Sequence, residues 1–181
     1  MEIQTTPLKD CFVIKPSVFK DDRGYFCETF NKKDFYEATG LSVDFVQDNQ
    51  SVSTYGVLRG LHFQKGEMAQ AKLVRVAKGK VLDIAVDLRK KSPTFGKQFS
   101  IVLDDESNHQ LFVPRGFAHG FIVLSKTVIF CYKCDNYYDK ASEGGIKYND
   151  ATLQLNWHLS EKDFIISEKD KVLSTFLEAT K

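Results

Sequence analysis

Short apolar or alternating runs, separated by turn-forming residues, recur through most of this chain, and that rhythm constrains the fold more than any other feature. The runs include "YFCETF", "DFVQDN", "VLRGLHF", "AKLVRVA", "KVLDIAVDL", "QFSIVL", "QLFVP", "HGFIVL" and "VIFCYKC". The breaks are "DDRG", "AKGK", "KKSPTFG", "DDESN" and "VPRG". Many short strands at this spacing predict an all-β barrel or sandwich. The 181 residues suit one domain, residues 1–181, with room for a sizeable core. Two regions depart from the rhythm. "NKKDFYEATG" predicts a helix with Asn31 as N-cap and Gly40 just past its end. The tail carries "SEKD" at 160–163 and again at 167–170, each fitting the Ser-x-x-Asp capping signature. Short helices are therefore expected near the N-terminal third and at the C-terminus.

Alternation assigns faces. In "KVLDIAVDLR", Leu82, Ile84, Val86 and Leu88 share one side, and Val81, Asp83, Ala85 and Asp87 the other. Val128, Phe130, Tyr132 and Cys134 share a side, as do Phe45, Gln47 and Asn49, and Gln70, Lys72, Val74 and Val76. Several strands thus carry one mixed face, with a polar group set among apolar ones. A barrel interior that receives a polar ligand has this pattern, and so does a twisted edge sheet.

Net charge is +1, which gives no electrostatic case for nucleic acid or an anionic membrane surface as partner. No apolar run approaches bilayer length, and "MEIQTTPLKD" lacks the layout of a signal peptide, so a cytoplasmic location is expected. "CYKC" has the spacing of half a zinc site. On a strand, however, Cys131 and Cys134 point to opposite faces, and no second pair stands at zinc-ribbon spacing. The four cysteines read as reduced structural thiols.

"GVLRGLHFQ", residues 56–64, sets Arg59 and His62 among Val57, Leu58, Leu61 and Phe63. A buried guanidinium is costly unless paired, so either a ligand needs these groups or they are satisfied core residues. A metal reading fails on ligand count, because His109, His119 and His158 are scattered away from His62. His62 suits proton transfer near neutral pH, and a general base needs an orienting carboxylate. Asp83 on a mixed strand face is one candidate for that partner; Asp170, otherwise a helix-capping residue, is the other. Lys72 can stabilise an oxyanion or snorkel to the surface. Tyr132 can be a general acid or a core tyrosine with a tied hydroxyl. Arg23 and Arg59 can bind phosphate bidentately. No G-x-S-x-G elbow, P-loop or G-x-G-x-x-G is present.

Together "DDRGYFCETF", "FVQDNQSVSTYGVLRGLHFQ", "AQAKLVRVAKGKVLDIAVDLRKKSPTFG", "VPRGFAHGFIVL", "YKCDNYY", "SEGGIKYND" and "SEKD" resemble the dTDP-4-dehydrorhamnose 3,5-epimerase family, from about residue 12 to residue 173. The resemblance implies a cupin-like jelly-roll barrel, no cofactor or metal, a homodimer, and a dTDP-linked 4-keto-6-deoxy sugar as substrate. It implies His62 as base, Asp170 as its partner, Tyr132 as acid and Lys72 at the sugar's C4 oxygen. It implies that Arg23 and Arg59 meet the diphosphate, that Tyr138 stacks on thymine, and that Glu28, Gln47, Asn49, His119, Glu143 and Lys169 line the substrate site. On an ideal strand Arg59 and His62 face opposite ways, so Gly60 is expected to mark a bulge that brings both to one cavity. Tyr148 and Ala151 stand where the family commonly has tryptophan and proline, which bears on whether C3 alone or both C3 and C5 invert. The competing readings are a 3-epimerase or ketoisomerase on a related sugar nucleotide, and a non-catalytic sugar-nucleotide binding module.

Overall fold

Alternation along the central strands decides the architecture, because each strand must bury one face and the chain has two sheets to bury them between. The computed structural model describes residues 1–181. In chain order the strands are β1 (Glu2–Thr5), β2 (Phe12–Lys15), β3 (Val18–Asp21), β4 (Gly24–Cys27), β5 (Gln47–Thr54), β6 (Val57–Gln64) and β7 (Lys72–Lys78). They continue with β8 (Lys80–Asp87), β9 (Gln98–Asp104), β10 (Gln110–Val113), β11 (Phe117–Val123), β12 (Thr127–Cys134), β13 (Glu143–Gly145) and β14 (Ile165–Ile166). One sheet runs β1-β2-β10-β7-β12-β5 and the other β13-β6-β11-β8-β9, with β14 added beside β6. Two antiparallel sheets facing each other form the jelly roll. Between them lie Val74 and Val76 of β7, Val81 and Ala85 of β8, Phe117, Phe121 and Val123 of β11, and Val128 and Phe130 of β12. Burying a side chain of this kind contributes roughly 1.5–3 kcal/mol, enough in sum to carry a few polar groups on the same face.

β8 and β11 are buried on both faces, which an alternating solvent-facing strand would not be. The outer face of their sheet, with Leu82, Ile84, Val86 and Ile122, is covered by Ile146, Leu153, Trp157 and Phe176 from the C-terminal segment. The other sheet is covered by α1 (Lys32–Thr39), whose Phe35 packs with Ile14, Leu73 and Phe112. Phe45 joins that outer cluster, so it does not share the face of Gln47 and Asn49: it precedes β5 and is outside the strand's alternation.

Asn31 caps α1 by accepting from the Lys33 and Asp34 amides, and Gly40 ends it at φ 72°. The two "SEKD" stretches diverge. Ser160 precedes a single 3₁₀ turn, Glu161–Asp163, and makes no side-chain cap bond. Ser167 caps α2 (Glu168–Lys171) by accepting from the Asp170 amide, but the Asp170 carboxylate does not return to Ser167. The full reciprocal box forms instead at Thr175 and Glu178, opening α3 (Phe176–Ala179). β3 and β4 form a separate two-stranded hairpin. Its Phe19 and Phe26 stack at 6.4 Å, yet are 64% and 66% exposed. No helix is long and apolar enough to cross a membrane.

Candidate active site

β6 brings Arg59 and His62 to one cavity through the irregularity expected at Gly60. Across β6 and β11, His119 pairs with His62 and Phe121 with Arg59, so β6 holds one extra residue in this interval. Gly60 sits at φ 117°, and a Cβ there would lie 2.7 Å from the Gly120 Cα. A Cβ on Gly120 would in turn lie 2.7 Å from the Arg59 carbonyl oxygen. Two facing glycines therefore let the strands approach where the bulge forms. The Gly60–Leu61 peptide bond is cis. Arg59 itself is exposed, not buried as its apolar neighbours suggested. The bulge turns it to the rim, where its Nε donates to the Ser53 hydroxyl at 3.1 Å.

A cavity of about 150 Å³ lies between the sheets and is lined by Arg59, His62, Lys72, His119 and Tyr132. His62 and His119 come from one sheet, Lys72 and Tyr132 from the other. Phe121 and Phe130, stacked at 4.1 Å, supply apolar wall, and Ser51 a hydroxyl. A second cavity of about 290 Å³ shares His62, Lys72 and Tyr132 with the first and adds Gln47, Asn49, Tyr138 and Glu143. A third, of about 460 Å³, shares Tyr138 and Glu143 and reaches Lys169.

His62 Nε2 is 2.8 Å from Asp170 Oδ1, while Asp170 Oδ2 accepts the Gly60 amide at 3.1 Å. Burial alone would raise the Asp170 carboxyl, but the bonds from His62 and Gly60 outweigh it and hold it below the ordinary carboxylate range. With Nε2 engaged by the carboxylate, Nδ1 is the nitrogen left for the cavity. Asp83, the alternative partner for His62, is instead 2.9 Å from His119 Nε2 through both carboxylate oxygens. Both alternatives were open because each contact spans strands or elements far apart in the chain.

Burial lowers the affinity of the Lys72 amine for its proton, and Cys134, Asp83 and Glu143 oppose that. Its Nζ is 5.9 Å from the Tyr132 ring centroid. Burial raises the Tyr132 hydroxyl, with Cys134 adding to the rise and Arg59 opposing it, and no hydrogen bond to the hydroxyl contributes. Tyr132 is thus not the tied core tyrosine. The Tyr138 hydroxyl donates to Glu143 at 3.0 Å, and Lys169 Nζ donates to the same carboxylate at 2.5 Å. Burial would raise Glu143, but Lys169 and Tyr138 draw it below its usual value. The Tyr138 amide donates to Gln47 Oε1 at 3.0 Å, and Gln47 Nε2 donates to Asn49 at 2.9 Å. These bonds order one wall of the second cavity.

Arg23 and Glu28 are not brought to these cavities within the single chain. Both are exposed, and Arg23 is at the hairpin turn, paired bidentately with Asp21. The hairpin is paired with neither barrel sheet, which is the physical reason. Tyr148 packs edge-on against Phe164 at 5.8 Å in the outer cluster, and Ala151 is exposed. These departures from the family pattern therefore have no contact with the cavity. No group of three or more His, Cys, Asp or Glu side chains converges with metal-site geometry, and Cys131 and Cys134 take separate partners, Gln50 and Asn49. Phe130 shares the cavity face with Tyr132, as the alternation of β12 predicts, whereas Ser51, Gly120 and Phe121 went unread in the sequence. Their alternation matches that of core residues, and only the cross-strand register brings them to the cavity.

A family model described as dTDP-4-dehydrorhamnose 3,5-epimerase matches residues 5–178. The chain is 48% identical over 179 residues to a dTDP-4-dehydrorhamnose 3,5-epimerase of Shigella flexneri, covering 99% of this chain and 98% of that protein. The crystal structure of a dTDP-4-dehydrorhamnose 3,5-epimerase from Elizabethkingia anophelis superposes with a TM-score of 0.96 at 56% identity, covering 100% of this chain and 99% of that one. A Legionella pneumophila dTDP-6-deoxy-D-glucose-3,5-epimerase, solved in complex with dTDP-4-keto-L-rhamnose, superposes at 0.93 with 43% identity, covering 97% and 93%.

Proposed function

The chain belongs to the dTDP-4-dehydrorhamnose 3,5-epimerase family, and we propose that it inverts C3 and C5 of dTDP-4-keto-6-deoxy-D-glucose, without a cofactor, to give dTDP-4-dehydro-L-rhamnose. The observation that carries this reading is the pairing of two differently prepared groups on opposing walls of one cavity. His62 has an oriented carboxylate behind it, and Tyr132 has an unbonded hydroxyl in front. A C4 ketone acidifies the hydrogens at C3 and C5. His62 Nδ1 takes one such proton, and the C–H electron pair becomes an enolate with its charge on the C4 oxygen. The Lys72 ammonium stabilises that charge as it develops. The Tyr132 hydroxyl then delivers a proton to the opposite face of the carbon, the enolate collapses to the ketone, and the centre is inverted. Repetition at the second carbon gives the product. The tyrosinate and imidazolium return to their starting states by proton exchange with water.

Arg59 is the diphosphate ligand at the cavity rim in this reading, and Tyr138, exposed beside Gln47 and Glu143, stacks on the base. His119, Asn49 and Lys169 complete the substrate contacts. A homodimer is part of the proposal. The exposed aromatic pair Phe19 and Phe26 on the hairpin supports it, and from that hairpin Arg23 and Glu28 act on the substrate across the pairing. Four unpaired cysteines support a reducing, cytoplasmic setting. Incubation with the 4-keto sugar nucleotide in deuterated water, read by proton magnetic resonance, tests the function. Deuterium at C3 and C5 with inversion at both is expected. Uptake at C3 alone gives a 3-epimerase, a shifted carbonyl a ketoisomerase, and no uptake a binding module.

A further inference from the structure

The cavity's second His–Asp pair is unexplained by the base, the acid and the enolate-stabilising lysine. Asp83 is fully buried on β8, behind His119 and on the face that lines the barrel interior. Its only hydrogen-bond donor is His119 Nε2, shared between both carboxylate oxygens at 2.9 Å. A carboxylate has room for about four donors. One so enclosed, and with a single donor, retains a strong field toward any cation nearby. Lys72, on the facing sheet, lines the same cavity as His119, the imidazole that Asp83 holds, and feels the Asp83 charge. The pair also fixes His119: with Nε2 held by Asp83, Nδ1 is the nitrogen left without a partner, on a residue that is the register partner of His62 and lines the cavity with it.

We propose that Asp83 is a positioning residue for the reaction, orienting His119 through Nε2 and supplying the counter-charge that keeps Lys72 an ammonium beside the developing enolate. This rests on the epimerase reading for its catalytic consequence, but not for its electrostatic one. The groups facing Lys72 are Tyr132 and Cys134 of β12, Arg59 and His62 of β6, His119 of β11, Asp83 of β8 and Glu143 of β13. Among the carboxylates, Asp83 has no cationic lysine or arginine partner, whereas Glu143 is already paired with Lys169. Asp83 is therefore the less neutralised of the two.

The test replaces the charge and keeps the shape, in Asp83→Asn. Two readouts are taken on the intact protein. The first is the pH dependence of Lys72 acylation by an amine-selective reagent, read by mass spectrometry, which needs no activity. Its midpoint is expected to fall by on the order of one pH unit in the variant. The second is the alkaline limb of kcat/KM, expected to move down in pH by the same amount, with kcat falling more than KM changes. An unmoved acylation midpoint overturns the proposal. So does a midpoint in the wild-type protein low enough that Lys72 is neutral at pH 7, which is measurable even if the variant does not fold. A midpoint that falls in Asp83→Asn, where the wild-type protein itself shows no epimerisation, sustains the electrostatic role and overturns the epimerase reading instead.

Discussion

Asp83 and Asp87 are on the same face of the same strand, β8, and both are fully buried, yet the molecule uses them in opposite ways. Asp87 accepts from the Arg89 amide and guanidinium and from the Ser92 and Thr94 hydroxyls. Arg89 also binds Asp10 and lies 4.8 Å over the Phe117 ring. Burial would raise the Asp87 carboxyl, but these donors bring it down to about 2. Its charge is consumed locally, and the result is a fixed corner between β8 and the loop that follows. Asp83 has one imidazole and a field left over, and the cavity that this imidazole lines also holds groups whose bonds are incomplete: Tyr132 without a partner, His62 with one nitrogen committed. Saturation of a buried charge builds scaffold; incomplete saturation leaves a charge available to a ligand.

The comparison breaks most clearly if the cavity groups turn out to hold up the fold. His62→Ala is expected to leave the melting temperature close to wild type while deuterium uptake at C3 and C5 and epimerisation both fall by at least ~10³-fold, within the range of a lost general base. Proton magnetic resonance in deuterated water reads both. Exchange at the wild-type rate would make His62 a core histidine.

Tyr132→Phe removes only a hydroxyl that binds nothing in the protein, so stability is again expected to hold. Inversion is expected to slow by roughly 10²–10⁴-fold while His62 still removes and returns protons on the original face. Deuterium uptake should therefore outrun inversion. Equal loss of the two processes would take the acid role away from Tyr132.

On the scaffold side, Asp87→Asn is expected to cost ~2–4 kcal/mol of unfolding free energy in urea at pH 7, since it strands Arg89 and two hydroxyls. At low temperature the remaining folded fraction should keep the wild-type kcat. A variant of normal stability and poor turnover would invert the comparison.

The smallest effect is in acid. The Asp87 carboxyl titrates near 2 in the folded protein against an ordinary 3.8. Between those values the unfolded chain binds more protons, so stability that is fully present above about pH 4 is lost as pH falls toward 2. The difference corresponds to ~2 kcal/mol. The gap between wild type and Asp87→Asn should close by that amount over this window, measured by urea titration at successive pH values.

Much of this division was legible in the sequence. Alternation put Val81, Asp83, Ala85 and Asp87 on one face, and Lys72 with Val74 and Val76 on another, and both faces turn into the barrel. The bulge at Gly60 was required once Arg59 and His62 had to share a cavity. What alternation could not supply is anything decided by contacts between distant segments. The doubly buried state of β8 and β11 depends on a C-terminal cover with no periodicity of its own. Arg59 looked buried because its neighbours are apolar, whereas the bulge carries it to the rim. Ser160 and Ser167 head identical tetrapeptides, and only the second caps a helix, the one whose Asp170 carboxylate is also held by Gly60 and His62.

That last contact joins residues 108 positions apart, and it sets an order of events during synthesis. A ribosome exposes β6 and its histidine long before it reaches α2. A nascent chain that already holds every barrel strand lacks the carboxylate that orients the imidazole. In the proposed reaction, His62 gains its orienting carboxylate only when the tail docks. On that reading a chain truncated before α2 is expected to bind the keto sugar without enolising it, so the last-made segment, and not the barrel, decides when the cavity becomes a catalyst.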